Sequence, residues 1–208
     1  MATKRKRLTA AERKPQIMRS AIKALARSNY RTTSIAEIAA EAGITEPAVY
    51  RYFPTKKALF ISILEDVGNR VLRIWEAILD ESSGPLDALT KIAGDYYERA
   101  MTRRGELKVL FQALSEVDDQ DIRRALRVQF ASYVDLLETI IRRAQADDII
   151  HQHVDAAAAA WSFLSVGFTL NLVGLLRLET DLSRDRLELI QTLFLESLLV
   201  HNAQKTEK

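Results

Sequence analysis

The sequence predicts an all-α fold. An N-terminal domain of three helices is built round a helix-turn-helix, and a larger C-terminal helical bundle follows, about nine helices in all. Three observations predict it. Apolar residues recur at intervals of three and four through most of the chain. Gly (7) and Pro (4) are too scarce among 208 residues to supply the turns of a many-stranded sheet. Capping and breaking residues (Ser34, Gly43, Thr45, Pro47 and Pro54) crowd one short region, where brief helices must turn sharply.

The elements follow in order. From 10 to 27, Ile17, Ala21, Ala24 and Leu25 share one helical face, and Ser28-Asn29-Tyr30 ends the helix. Ser34 with Glu37 three residues on is a capping box for a helix over 35–42, which buries Ile35, Ile38 and Ala39. Gly43 stands where a tight turn wants positive φ, and Ile44 plugs the turn. Thr45 caps a further short helix reaching 52, with Glu46 and Pro47 in a first turn whose amides need no helical partner. Pro54 stops it, and Thr55 caps a helix over 56–81. Ser82-Ser83-Gly84-Pro85 is the clearest break. Helices are expected over 86–101 and 105–117, from the Asp118-Asp119 cap to 146, from the Asp155 cap to 178, and over 184–201. The tail 204–208 is expected to fray. The domain boundary is placed between 55 and 56, giving domains 1–55 and 56–208.

Charge divides the chain more sharply than its net +2 suggests. Residues 1–57 hold 13 Lys/Arg against 4 Asp/Glu, and 58–208 hold 17 against 24. A basic head on an acidic body suits a polyanionic partner for the head alone. The absence of Cys excludes disulfides and thiolate metal sites and fits a reducing cytoplasm. The basic start Lys4-Arg5-Lys6-Arg7 has no apolar core behind it and does not read as a secretory signal. The uncharged run 156–176 is long enough to span a bilayer, but Ser162, Ser165, Thr169 and Asn171 interrupt it, so a buried bundle helix is expected and no membrane partner. His151 and His153 sit beside a helix start, not on one helical face, so no metal site is expected. With no Gly-rich phosphate loop and no Gly-x-Ser-x-Gly elbow, neither an enzyme nor a cofactor is expected.

Two short helices joined by a Gly-containing turn form a helix-turn-helix, whose second helix is small enough to enter a DNA major groove. The stretches Thr33-Ser34-Ile35-Ala36-Glu37-Ile38-Ala39-Ala40-Glu41-Ala42-Gly43-Ile44-Thr45, Val49-Tyr50-Arg51-Tyr52-Phe53 and Lys56-Lys57-Ala58-Leu59-Phe60 resemble the DNA-binding domain of the tetracycline-repressor (TetR) family over residues 17–60. The resemblance implies a DNA-binding transcriptional regulator, a ligand-released repressor acting as a dimer. By position, Thr33 and Thr45 would lie at helix starts facing phosphates, Tyr50 and Tyr52 at the backbone, and Lys56 at a further phosphate, with Ser34 also in the DNA-binding set. Glu46, Pro47 and Arg51 would face the bases, with Arg51 the best reader of guanine. Glu46 and Pro47 depart from the residues the family often carries there. Two heads on adjacent turns would read a pseudo-palindrome.

For the second domain the resemblance implies effector binding and dimerisation. Trp75, Tyr96, Tyr97, Phe111, Phe130 and Tyr133 are candidates to line a pocket for a small apolar or aromatic effector. Trp161, Gly167 and Gly174 on one helix, with Leu187, Ile190, Phe194 and Leu198 on the next, are candidates for a homodimer face. Deleting residues 1–7 should weaken DNA binding for every sequence and flatten its salt dependence, measured as the slope of affinity against salt; an unchanged slope would make the arm a mere solubiliser.

Overall fold

The computed structural model describes residues 9–178, 180 and 183–199. The basic run at 4–7 and the tail 204–208 lie outside them. Nine helices make up the described residues: α1 (Ala10–Arg27), α2 (Ile35–Ala42), α3 (Glu46–Tyr50), α4 (Lys56–Glu81), α5 (Pro85–Thr102), α6 (Arg104–Leu114), α7 (Gln120–Ala146), α8 (Ala156–Leu176) and α9 (Arg184–Leu198). The expected elements are all present, with ends shifted by a few residues. α8 stops at Leu176 because Arg177 turns left-handed (φ 59°). α3 is shorter than expected, with Arg51 as its C-terminal cap.

The helices form two compact units: Met1–Asn69 with Gly105–Arg127, and Arg70–Arg104 with Val128–Lys208. The first unit therefore reaches past the boundary expected at 55/56 and takes in α6. The reason is local. Lys108 Nζ and Gln112 Nε2 on α6 donate to the carbonyls of Ala26 and Leu25 (3.0 Å each), closing the last turn of α1, whose carbonyls have no helical donors. Lys57 pairs with Asp119 and Asp121 (3.1 and 2.6 Å), and Arg31 grips both oxygens of Glu116 (2.7 and 3.2 Å). The core of this unit holds Ile17, Leu25, Ile38, Val49, Leu59 and Phe60.

In the second unit α8 packs on α5, and α9 also packs on α5. Among the described residues α8 alone is long and apolar enough to cross a membrane, yet half of that stretch is buried inside its own unit. One side of it is core, and the other, carrying Trp161, Leu172 and Leu176, is exposed. Two glycines let it approach its neighbours. A Cβ on Gly167 would lie 3.0 Å from the Tyr96 ring, and one on Gly174 would lie 2.4 Å from the Ala100 carbonyl oxygen. Trp75, Leu137, Ile140 and Ala160 are fully enclosed in this core.

Tyr96 and Tyr133 lie against Trp75, ring centroids 6.1 and 5.2 Å away. Burial raises both phenol pKa values from the ordinary 10.0, that of Tyr133 to about 12. The folded chain thus resists an ionisation that the unfolded chain undergoes near pH 10, so stability is intact below that pH and falls as pH climbs toward about 12. Denaturant melts across the alkaline range should show this loss. Tyr133→Phe should flatten it while costing about 1 kcal/mol near neutrality through the lost hydrogen bond to Gln129.

Candidate nucleic-acid interface

The interface is built from α2, the turn after it, and α3. Ser34 starts α2 with both halves of a capping box: its hydroxyl accepts from Glu37 N (3.2 Å), and the Glu37 carboxylate accepts from Ser34 N (2.7 Å). Those bonds hold the Glu37 carboxyl below its usual pKa. Gly43 then adopts the left-handed conformation (φ 64°, ψ 39°). Its N–H reaches Ala40 O (3.1 Å) and that of Ile44 reaches Ala39 O (3.0 Å), the paired bonds of a Schellman turn. A residue with a Cβ is strained in this conformation. The turn aims the chain into α3, which is too short to persist alone and is pinned by buried Val49 and by Phe53 just beyond it.

The outer side of α3 carries Glu46, Pro47, Tyr50 and Arg51, all exposed, with Tyr52 half-buried. The guanidinium of Arg51 has no partner among the described residues. Thr45 occupies the cap of α3 with extended backbone but makes no side-chain cap bond, so its hydroxyl is unspent. In this Thr45 differs from Ser34, whose hydroxyl is committed to the capping box.

Two residues expected at phosphates are placed otherwise. Thr33 is 2% exposed and its hydroxyl is enclosed without a partner. It stands one residue before the cap, where a side chain folds back on the helix's first turn rather than outward. Lys56 spends its ammonium internally: Nζ donates to the carbonyls of Tyr30 (2.8 Å), Thr33 (3.1 Å) and Arg31 (3.2 Å) and lies 4.9 Å from the centre of the Tyr30 ring. An ammonium has three hydrogens, and three carbonyls take them. Lys56 staples the α1–α2 loop to the start of α4. The pattern gave no sign of this role, because the three acceptors are backbone atoms.

In the second unit the candidate pocket residues divide. Trp75 and Tyr96 line an apolar cavity with Phe163, Leu164, Leu170 and Phe194. Phe130 stacks on Phe168, and the Tyr133 ring lies tilted against Trp75. Tyr97 lines a separate groove beside Arg184, and Phe111 sits on α6 in the first unit, so neither belongs to the cavity. The candidate dimer residues divide too. Gly167, Gly174 and Leu198 are buried in their own unit, and Phe194 packs edge-on against Phe163. Ile190 is half-buried, and the side chain of Leu187 lies outside what is described. Trp161 is 54% exposed and stands on a different face of α8, with Leu172 and Leu176 (64%); Leu189 and Leu193 (59% each) are exposed on α9. Among the described residues no three His, Asp or Glu side chains converge as metal ligands.

A helix-turn-helix with an open second helix, followed by an all-helical unit, is the architecture of the described residues. Residues 17–63 match the family described as bacterial regulatory proteins, tetR family. It is 31% identical over 93 residues to the uncharacterized HTH-type transcriptional regulator YuxN of Bacillus subtilis, covering 45% of this chain and 32% of that one. The chain spans about a third of the length of the curated relatives it matches at this level. In fold it is similar to a TetR transcription regulator from Haloarcula marismortui (TM-score 0.78, 18% identity, 91% of this chain and 100% of that one). It is also similar to the regulator FadR from Bacillus subtilis, crystallised with stearoyl-CoA (TM-score 0.65, 18% identity, 89% and 97%).

The staple has a measurable signature. Lys56→Met should lower the stability of the protein by about 2 kcal/mol, as charge-assisted bonds to carbonyls are lost. DNA affinity should drop with it, yet the slope of affinity against salt should stay unchanged. A slope smaller by about one would place Lys56 on a phosphate instead.

Proposed function

We propose that the protein is a cytoplasmic, sequence-specific transcriptional repressor that binds double-stranded DNA as a homodimer on a pseudo-palindromic operator and is released by a small apolar effector. The observation that carries the reading is the outer side of α3. Arg51, Tyr50 and Glu46 are exposed there, the Thr45 hydroxyl is unspent, and the turn behind them is held rigidly by Gly43. A helix that presents free donors on a fixed platform suits groove reading. The first 57 residues supply the positive charge that non-specific phosphate attraction requires.

The homodimer rests on the exposed apolar residues of α8 and α9. Trp161, Leu172 and Leu176 recur at helical spacing, and Leu189 and Leu193 recur on α9. Such a face is unusual on a monomer and suits a second copy of the chain. The effector rests on the cavity beneath Trp75 and Phe194, and the fold likeness to a regulator crystallised with stearoyl-CoA supports an apolar ligand.

Selection of duplexes from a random pool should recover an inverted repeat, and recovery of unrelated sequences would overturn the reading. Arg51→Ala should cost about 1–3 kcal/mol on the selected site and relax preference at one base pair per half-site. Leu193→Glu should yield a monomer by sedimentation and lose operator binding; a variant that remains dimeric would move the interface to another face.

A further inference from the structure

The first 57 residues hold four acidic side chains, and three of them are spent within the fold. Glu12 closes the cap of α1 through Thr9, Glu37 closes the cap of α2 through Ser34, and Glu41 pairs with Arg27 at 2.8 Å. Glu46 is the fourth. It is exposed and has no side-chain hydrogen bond or ion pair among the described residues, although 13 Lys/Arg share the same stretch of chain. It stands in the first turn of α3, on the helix that also exposes Pro47 and Tyr50.

That turn is poor in donors. A helix start ordinarily offers a phosphate several free amides. Here Pro47 has no N–H, and those of Ala48 and Val49 are bonded to the Thr45 carbonyl at 3.0 and 3.2 Å. Beyond the Glu46 amide and the Thr45 hydroxyl, the turn presents a carboxylate, which accepts and has no proton to give.

A carboxylate carried into a DNA groove is repelled by the phosphates on both sides. The repulsion is offset where a base turns a donor toward it. In the major groove guanine offers two acceptors, and thymine an acceptor and a methyl group. Adenine offers an amine, but its N7 acceptor stands beside it, and a carboxylate has no donor to answer N7. Cytosine offers its N4 amine with no acceptor of its own alongside.

We infer that Glu46 sets base specificity: in each half-site its carboxylate accepts from N4 of one cytosine, and it penalises duplexes without a cytosine at that position. The inference rests on reading α3 as the helix that enters the major groove. Glu46 weakens attraction to DNA in general and returns the loss at one base pair, so its removal has opposite signs on two kinds of duplex.

Wild type and Glu46→Ala should be titrated against the selected duplex and against a shuffled duplex of the same length and composition. Glu46 is exposed and bonds to nothing in the fold, so the variant keeps its structure, which thermal melts establish. The substitution should strengthen binding to the shuffled duplex and weaken binding to the selected one roughly tenfold. A change of the same sign on both, or no loss on the selected duplex, would overturn the inference. Replacing the cytosine by 2-pyrimidinone, which lacks the 4-amino group, should cost the wild type roughly tenfold more than it costs Glu46→Ala; an equal cost to both would overturn it. Selection repeated with Glu46→Gln should move the preference at that position from cytosine to adenine, since an amide can donate to N7 while accepting from N6, and a retained cytosine would overturn the assignment. An inverted repeat with no fixed cytosine leaves the proposed function standing and removes only this inference, whereas recovery of no repeat removes both.

Discussion

The head depends on a single left-handed residue. Gly43 turns the chain between two helices that are individually too short to hold a direction, and the bonds from Gly43 and Ile44 back to α2 leave the turn no slack. Once that turn is set, Val49 and Phe53 fall into the core, and the other side of α3 has nowhere to face but solvent. The staple from Lys56 and the caps from α6 are supports for this geometry: they fix the loop before α2 and the end of α1, the two segments against which the turn is braced.

Much of this was legible in the sequence, for a physical reason. Capping boxes, a glycine after a short helix and a proline in a first turn act on neighbours in the chain, so Ser34, Glu37, Gly43 and Pro47 announce their roles by spacing alone. Residues whose partners are distant or are backbone atoms announce nothing. Lys56 reads as a surface cation until its three carbonyls are seen, and Thr33 reads as a surface hydroxyl until its burial is seen. The bonds from Lys108 and Gln112 to the end of α1 are equally silent in the pattern, since they reach back some 82 and 87 residues.

The last two helices show a different limit. α8 is apolar around its whole circumference, so periodicity cannot say which side is inside. Glycines looked like places for a partner's backbone. In the structure they are places where the chain's own Tyr96 ring and α5 backbone come close. The side left to solvent carries Trp161, Leu172 and Leu176, separated by serines and a threonine whose hydroxyls bond back to their own helix. The first unit satisfies the carbonyls of its loop and of the end of α1 with the side chains of Lys56, Lys108 and Gln112.

Gly174 carries a consequence for descent. Its neighbour is the Ala100 main chain, which no rotamer change can move aside. Every substitution there adds at least a methyl group against a carbonyl oxygen, so no gradual route of small replacements leads away from glycine. The separation of the two helices at this crossing is therefore set by Gly174, and a change in the cavity has to come from its wall side chains rather than from spreading the scaffold.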